Sequence, residues 1–171
     1  MRVPKIIACF ALGAAAINPP DETLQAADKN LPGLNAVQTR YALAIINGAK
    51  EDGVGLHGCQ AAIATALVES SLVMYANKNV PESLKHPHDR VGSERDAVGL
   101  FQQRASIYKS IRCSMDAACS ADQFYTEMKK VQGWQSMPVG ALCQKVQRST
   151  YPDRYTKQSG IAMKVCSAGG F

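Results

Sequence analysis

One segment of the sequence is apolar on nearly every side of the helix that it predicts. Between about His57 and Leu72, residues 61–64 read Ala-Ala-Ile-Ala and residues 66–68 read Ala-Leu-Val. A helix that is hydrophobic all round has to be buried by other elements. Because apolar residues make up 46% of the 171 positions, the chain can supply such surroundings. The segment therefore predicts a central helix inside a globular domain.

The other periodic segments predict further helices around this central one. Asn35 can cap a preceding helix, which Gly53 and Gly55 end. Three more helices are predicted: 121–131 capped by Ser120, 139–147 introduced by Pro138, and 153–165. Strand signals are few. We therefore predict an α+β, mainly α single domain with a small irregular or β lobe.

The predicted lobe begins where the helical pattern stops. From Tyr75 to Asp96 the chain is polar and is broken by Pro81, Pro87 and Gly92. Loops of this length inside a compact chain are usually functional or disordered. The next residues, 98–102, predict a short extended or turn segment.

The N-terminus predicts a secretion signal. Two basic residues precede a short, alanine-rich apolar run over residues 6–17, which is too short to span a bilayer. We assign residues 1–17 to the signal, with cleavage after Ala16 or as late as residue 27, and residues 28–171 to the domain. The alternative is a buried N-terminal helix. The protein is therefore expected to be extracellular, with no membrane partner.

The charge of the chain excludes one class of partner. Nineteen Lys and Arg against 14 Asp and Glu give a formal charge of +5. These basic residues form no cluster and no helical stripe, which argues against nucleic-acid binding. The excess favours a general attraction to an anionic polymer.

Six cysteines support export, because disulfides form in oxidising compartments. One of them lies in the predicted signal, which leaves at most two bridges and one odd thiol. Cys113 and Cys119 bracket a short polar loop that a bridge could close. A second bridge could join Cys143 to Cys166, or Cys59 could take the place of either one. No pair has the spacing of a structural metal site, so we expect none.

Glu69 is the polar residue at the end of the central helix. It follows Ala-Leu-Val and precedes Ser70. Apolar surroundings disfavour an ionised carboxyl, so the pKa of Glu69 should be raised. A carboxyl that keeps its proton beside a cleft can protonate a glycosidic oxygen. The alternative is a surface glutamate at a helix end.

A second group of polar residues follows the predicted lobe, in the segment Asp-Ala-Val-Gly-Leu-Phe-Gln-Gln-Arg over residues 96–104. Gly99 lets the backbone approach a ligand closely. The paired amides of Gln102 and Gln103 can bond sugar hydroxyls and acetamido groups.

Asp96 is the candidate for a second catalytic carboxylate. An inverting hydrolase needs a base about 6.5–9.5 Å from its acid, so that a water molecule fits between them. Asp89 and Glu94 are competitors for this role. Alternatively, Asp96 ends a loop by accepting hydrogen bonds from nearby backbone N–H groups.

Three motifs in order resemble the lysozyme-like superfamily, which includes goose-type lysozymes and lytic transglycosylases. They are Ala-Thr-Ala-Leu-x-Glu-Ser-Ser ending at Ser71, the 96–104 segment with Gly-Leu-Phe-Gln, and Gln-x-Ser-x-Tyr-Pro-Asp-x-Tyr over 147–155. A Gly-Trp pair at Gly133 lies before the third motif. The chain is most similar to small secreted lysozyme-like domains of actinobacteria and filamentous fungi, and the resemblance runs from about Ala61 to Tyr155.

The resemblance implies a lysozyme-like fold with the lobe beside a cleft, and cleavage of β-1,4 bonds between N-acetylmuramic acid and N-acetylglucosamine in peptidoglycan. Glu69 matches the catalytic acid, and Asp96 would orient water or stabilise positive charge. A lytic transglycosylase needs no second carboxylate, because the C6 hydroxyl of the sugar itself attacks. The implied substrate-binding residues are Ser70, Gly99, Leu100, Phe101, Gln102, Gln103, Tyr151 and Tyr155. We expect a monomer with no cofactor and no metal.

Two other functions are compatible with the same residues. The chain could be a secreted effector that binds peptidoglycan or chitin without cutting it, or a chitinase-type glycanase on the same scaffold. Trp134 could stack on a sugar face, although a single tryptophan before a helix is more often a core anchor. His86 and His88 are read as solvated loop residues rather than metal ligands.

Overall fold

A computed structural model describes residues 29–149, 151 and 153–171, and the predicted secretion signal lies outside them. Within these ranges the chain forms six α-helices: α1 (Ala36–Glu51), α2 (Gly55–Ser70), α3 (Ile111–Ser114), α4 (Ala117–Lys129), α5 (Val139–Gln147) and α6 (Asp153–Ala168). Between α2 and α3 lie a 3-10 helix (Pro81–Lys85) and four short strands: β1 (Tyr75–Asn77), β2 (Arg90–Gly92), β3 (Ala97–Val98) and β4 (Gln103–Arg104). The predicted α+β, mainly α class is confirmed.

The predicted central helix is α2. Residues 58–66 are buried without interruption, and most of them are alanine or glycine. Small side chains let neighbouring helices approach closely, and α6 lies along α2 while α1 and α5 also pack against it. The helix begins at Gly55, two residues before the predicted start at His57. It ends at Ser70, two residues before the predicted end at Leu72.

The end of α2 turns the chain sharply into the lobe. Ser71 and Leu72 adopt left-handed conformations, with φ of 57° and 53°. Their N–H groups donate to the last turn of the helix, to Leu67 O and Ala66 O, both at 3.1 Å. These bonds satisfy carbonyls that the helix end would otherwise leave free. Glu69 therefore stands in the last turn, next to the point where the lobe begins.

The predicted polar lobe consists of two small sheets. β1 pairs with β2 in parallel, and β3 pairs with β4 antiparallel. The side-chain amide of Asn77, in β1, ties the first sheet to the chain that leads into the second. It donates to Glu94 O at 3.0 Å and to Ala97 O at 2.9 Å. Asp89 ties the lobe to α1 by accepting a 2.8 Å bond from the Tyr41 hydroxyl. Side chains thus fix a region that has few strand residues.

The structure confirms one predicted helix cap and corrects another. Asn35 caps α1 as predicted, accepting from the backbone N–H of Gln38 at 3.0 Å. Ser120 does not cap α4. The helix begins at Ala117, and the Asp116 carboxylate accepts from the Cys119 N–H at 2.8 Å, whereas Ser120 is fully buried. A carboxylate acceptor forms the stronger, charge-assisted bond. At the other end of the chain, α6 extends three residues beyond the predicted end at 165.

Two disulfides connect the helices. One joins Cys59 of α2 to Cys166 of α6, and the other joins Cys113 to Cys119. Of the pairings left open by the sequence, Cys59 therefore takes the place of Cys143. The Cys143 thiol donates to Ala61 O at 3.3 Å, and burial raises its pKa to about 12. Because the thiolate is the reactive form, Cys143 is an inert core residue. In the described part of the chain, no helix is long and apolar enough to cross a bilayer.

Candidate active site

An open cavity of about 640 Å³ lies between the end of α2 and the lobe. Its other walls come from α4 and from the segment that joins α5 to α6. Glu69, Gln102, Gln103 and Tyr151 line it, so the structure brings together side chains from the three motifs identified in the sequence.

Glu69 contributes a half-buried carboxyl to the cavity wall. Burial raises its pKa above the usual range, and the nearby charge of Glu94 acts in the same direction. A hydrogen bond from Tyr155 and the charge of Arg154 oppose this rise but do not cancel it. The carboxyl therefore keeps its proton to a higher pH than an exposed glutamic acid does.

Tyr155 fixes the orientation of this carboxyl. Its side chain is 1% exposed, and its hydroxyl donates to Glu69 Oε1 at 2.5 Å. Burial and the adjacent carboxyl raise the pKa of Tyr155, which keeps the phenol protonated as a donor. Among the described residues, Glu69 Oε2 has no hydrogen-bond partner. Because Oε1 already accepts this bond, Oε2 is the oxygen left free to carry and donate a proton.

The backbone beyond β3 packs tightly against the helices. Gly99 has a φ of +79°, and a Cβ at this position would lie 2.0 Å from the carbonyl oxygen of Ser114. Ser70 donates its hydroxyl to Leu100 O at 2.7 Å, and Phe101 stacks on Phe124 with ring centroids 5.1 Å apart. Ser70, Gly99, Leu100 and Phe101 therefore position the segment but do not line the cavity.

Gln102 and Gln103 line the cavity, as do Ala97 and Arg104 of the same 96–104 segment. The Gln102 side chain donates back to Gly99 O at 2.9 Å, and Gln103 donates to Ser120 O at 3.1 Å. The buried carbonyl oxygen of Gln103 has no partner within the described residues. This oxygen is enclosed by the protein, so Gln103 shapes the cavity wall without presenting this acceptor at its surface.

Asp96 is not placed as the sequence predicted. Its carboxylate accepts from Arg104 Nε and, at 2.7 Å, from the Ser106 N–H, and it does not line the cavity. It therefore has the alternative role of a loop-end acceptor. Glu94 lines the cavity instead, with an exposed side chain. Asp89, the other competitor, is engaged by Tyr41 on the α1 side of the lobe.

Several lining residues had not been singled out from the sequence. Ile107 is 65% exposed on the rim, where Tyr151 is 64% exposed. Four arginines also line the cavity: Arg95, Arg104, Arg148 and Arg154. A signal for the arginines did exist, because two of them flank or end the 96–104 segment and the other two lie within the 147–155 motif.

Trp134 and the histidines lie outside the cavity. The Trp134 ring stacks near His57, with centroids 6.5 Å apart, and packs against the core, which supports the core-anchor interpretation. The ring of His88 contacts the backbone oxygen of His86 at 2.7 Å. Across the part of the chain that the structure describes, no three His, Cys, Asp or Glu side chains come together as metal ligands would.

Neither a scan against protein-family models nor a search of curated proteins returns a match to this chain.

Proposed function

We propose that this protein is a secreted, lysozyme-like enzyme that cleaves β-1,4 glycosidic bonds in peptidoglycan or a related polymer of N-acetylglucosamine. The observation that carries the proposal is the Glu69 carboxyl, which is half-buried in an open cavity, has a raised pKa and is oriented by Tyr155. A carboxyl that keeps its proton is what a leaving glycosidic oxygen requires. The choice of glycan rests on the resemblance of the motifs to lysozyme-like proteins. The two disulfides support an extracellular location.

In the proposed reaction, Glu69 Oε2 donates its proton to the bridging oxygen as the glycosidic bond breaks. Tyr155 holds the carboxyl in place because its hydroxyl occupies Oε1. The carboxylate that remains stabilises positive charge developing on the sugar ring. The exposed ring of Tyr151 offers a face to a sugar.

The proposal is tested by incubating the protein with insoluble peptidoglycan and, separately, with insoluble chitin. We expect soluble saccharides from peptidoglycan, identified by mass spectrometry and absent from buffer alone. Release from chitin alone would favour the chitinase-type alternative. Tight binding to either polymer with no release at all would favour the non-catalytic alternative.

Glu94 is the proposed second carboxylate, in the role that the sequence had assigned to Asp96. If Glu94 activates water, the products carry reducing ends, and Glu94→Gln lowers turnover about 100-fold. The exposed position of Glu94 means that the variant should fold normally. Mass spectrometry of the digest identifies the product ends, and the amount of product released over time gives the turnover of each variant. Anhydro-muramyl ends, together with full activity of Glu94→Gln, would instead assign the attack to the C6 hydroxyl of the sugar.

The pH dependence of cleavage should report the raised pKa of Glu69. A general acid is active when protonated, so kcat/KM should fall as the pH rises through that raised pKa. The hydrogen bond from Tyr155 lowers the pKa of Glu69, so Tyr155→Phe should move this alkaline limb to higher pH. Values of kcat/KM for a soluble oligosaccharide, determined over a series of pH values, locate this alkaline limb in both proteins. A shift to lower pH in Tyr155→Phe would contradict the assignment.

A further inference from the structure

The cations that line the cavity are all of one kind. The described residues include ten lysines and seven arginines, yet four arginines and no lysine line the cavity. The guanidinium group presents a planar fork of donors that matches a carboxylate in a bidentate way, whereas the lysine ammonium is a strongly hydrated point charge. This selection points to a ligand with oxyanion groups rather than to a general attraction by positive charge, and in the glycan of the proposed function those groups are carboxylates.

Three of these arginines are free to meet such a ligand. Arg104 is engaged by Asp96, but Arg95, Arg148 and Arg154 form no ion pair with any described residue. All three side chains are exposed. Three carboxylates share the cavity with these arginines, and none forms an ion pair with Arg95, Arg148 or Arg154. Glu127 pairs with Lys130, Glu69 accepts a hydrogen bond from Tyr155, and Glu94 is in no ion pair with a described residue.

The backbone carries two of these arginines at unusual positions. Arg95 has a φ of 46° and Arg148 a φ of 51°, in the left-handed region where glycine or asparagine is the residue expected. Arg148 ends α5 in this conformation. An arginine therefore occupies each of two positions where a smaller residue would fit the backbone better, and both residues line the cavity.

The free arginines also come from different parts of the fold. Arg95 precedes β3 in the lobe, Arg148 follows α5, and Arg154 lies in the first turn of α6. The charge of Arg154 acts on the Glu69 carboxyl, so this guanidinium lies close to the proposed point of cleavage. Convergence of three unpaired guanidinium groups on one cavity gives several contact points for an acidic chain.

We propose that Arg95, Arg148 and Arg154 select a glycan that bears carboxylates over a neutral one, which deepens the proposed function and rests on it. Two sources supply this chemistry in a muramyl glycan. One is the lactyl carboxylate, which is free when the peptide stem is absent. The other is the set of carboxylates on the stem itself.

The test measures binding, so that it does not depend on turnover. Calorimetry on the Glu69→Gln variant compares three soluble oligosaccharides of equal length: a muramyl glycan with peptide stems, the same glycan after an amidase has removed the stems, and a neutral N-acetylglucosamine oligomer. We expect at least one acidic glycan to bind about tenfold or more tightly than the neutral oligomer, since charge-assisted bonds contribute to it alone. Preference for the first glycan only identifies the stem as the source, and preference for the second only identifies the lactyl group. Preference for both shows that the arginines accept a carboxylate from either source.

The preference should disappear when Arg95, Arg148 and Arg154 are all changed to Gln in the same background. Arg112→Gln is the matched control, because Arg112 is exposed on α3 and lies outside the cavity. Equal affinity for acidic and neutral glycans, or a preference that survives the triple substitution, overturns the inference even if the wild type cleaves peptidoglycan. Selective binding of acidic glycans by a wild type that cleaves none of them overturns only the proposed function.

Discussion

Replacing Glu69 by glutamine should lower the rate of glycan cleavage about a thousandfold, since general acid catalysis contributes roughly 10²–10⁴-fold. Glutamine has nearly the same shape, and its side-chain oxygen can still accept the hydrogen bond from Tyr155. Its amide N–H is far too weak an acid to protonate the leaving oxygen. Release of soluble saccharides from peptidoglycan, followed over time for both proteins, measures the loss.

The same variant should be at least as stable as the wild type at neutral pH. The folded pKa of Glu69 is raised, so the stability associated with its protonated form is present in acid and is lost as the pH rises through the folded pKa. Glutamine stays neutral throughout, and Tm at pH 7 should therefore be equal or higher. A fall in activity with no fall in Tm separates lost chemistry from lost folding.

Glu82→Gln is the matched control for this substitution. Glu82 is an exposed carboxyl in the 3-10 helix, outside the cavity, and the same atomic change there should leave cleavage intact. Equal saccharide release by the wild type and by Glu69→Gln would end the catalytic assignment. Equal losses in Glu69→Gln and Glu82→Gln would attribute the effect to charge rather than to position.

The helical part of the fold could be predicted because its signals are local. All-round apolarity left burial as the only stable arrangement for α2, and the Asn35 cap needs a partner only three residues away. The cap of α4 was missed because serine and aspartate are both good caps. The choice of Asp116 depends on the extra turn that α4 makes on its N-terminal side.

Asp96, Asp89 and Glu94 were all candidates for a second carboxylate, but which of them lines the cavity could not be predicted, because it depends on a backbone conformation. In an extended chain, Glu94 and Asp96 would point to the same side. Arg95 between them has a φ of 46°, which breaks this alternation. Asp96 is then held by Arg104 and Ser106, whereas Glu94 faces the cavity. No feature of the local sequence predicts a left-handed backbone conformation at an arginine.

Gly99→Ala should destabilise the fold by about 2–5 kcal/mol and reduce cleavage in proportion to the folded protein that is lost. Two effects add: the left-handed φ of +79° costs a residue with a Cβ about 1–2 kcal/mol, and overpacking costs about 1–3 kcal/mol. The new Cβ would lie 2.0 Å from the Ser114 carbonyl oxygen, which is backbone and cannot rotate away as a side chain would. Thermal and urea unfolding of the variant measure the loss.

Two other glycines separate these effects. Gly53 also has a positive φ, of +64°, but no atom lies within 4 Å of its Cβ position, so Gly53→Ala should cost only about 1–2 kcal/mol. Gly92 has ordinary contacts of 3.6 Å and more, and its conversion to alanine should change stability by less than about 1 kcal/mol. The excess of Gly99→Ala over Gly53→Ala is then the free energy of close packing against Ser114. If Gly99→Ala cost no more than Gly53→Ala, the 99–103 turn would be free to shift, and the placement of Gln102 and Gln103 in the cavity would not depend on that contact.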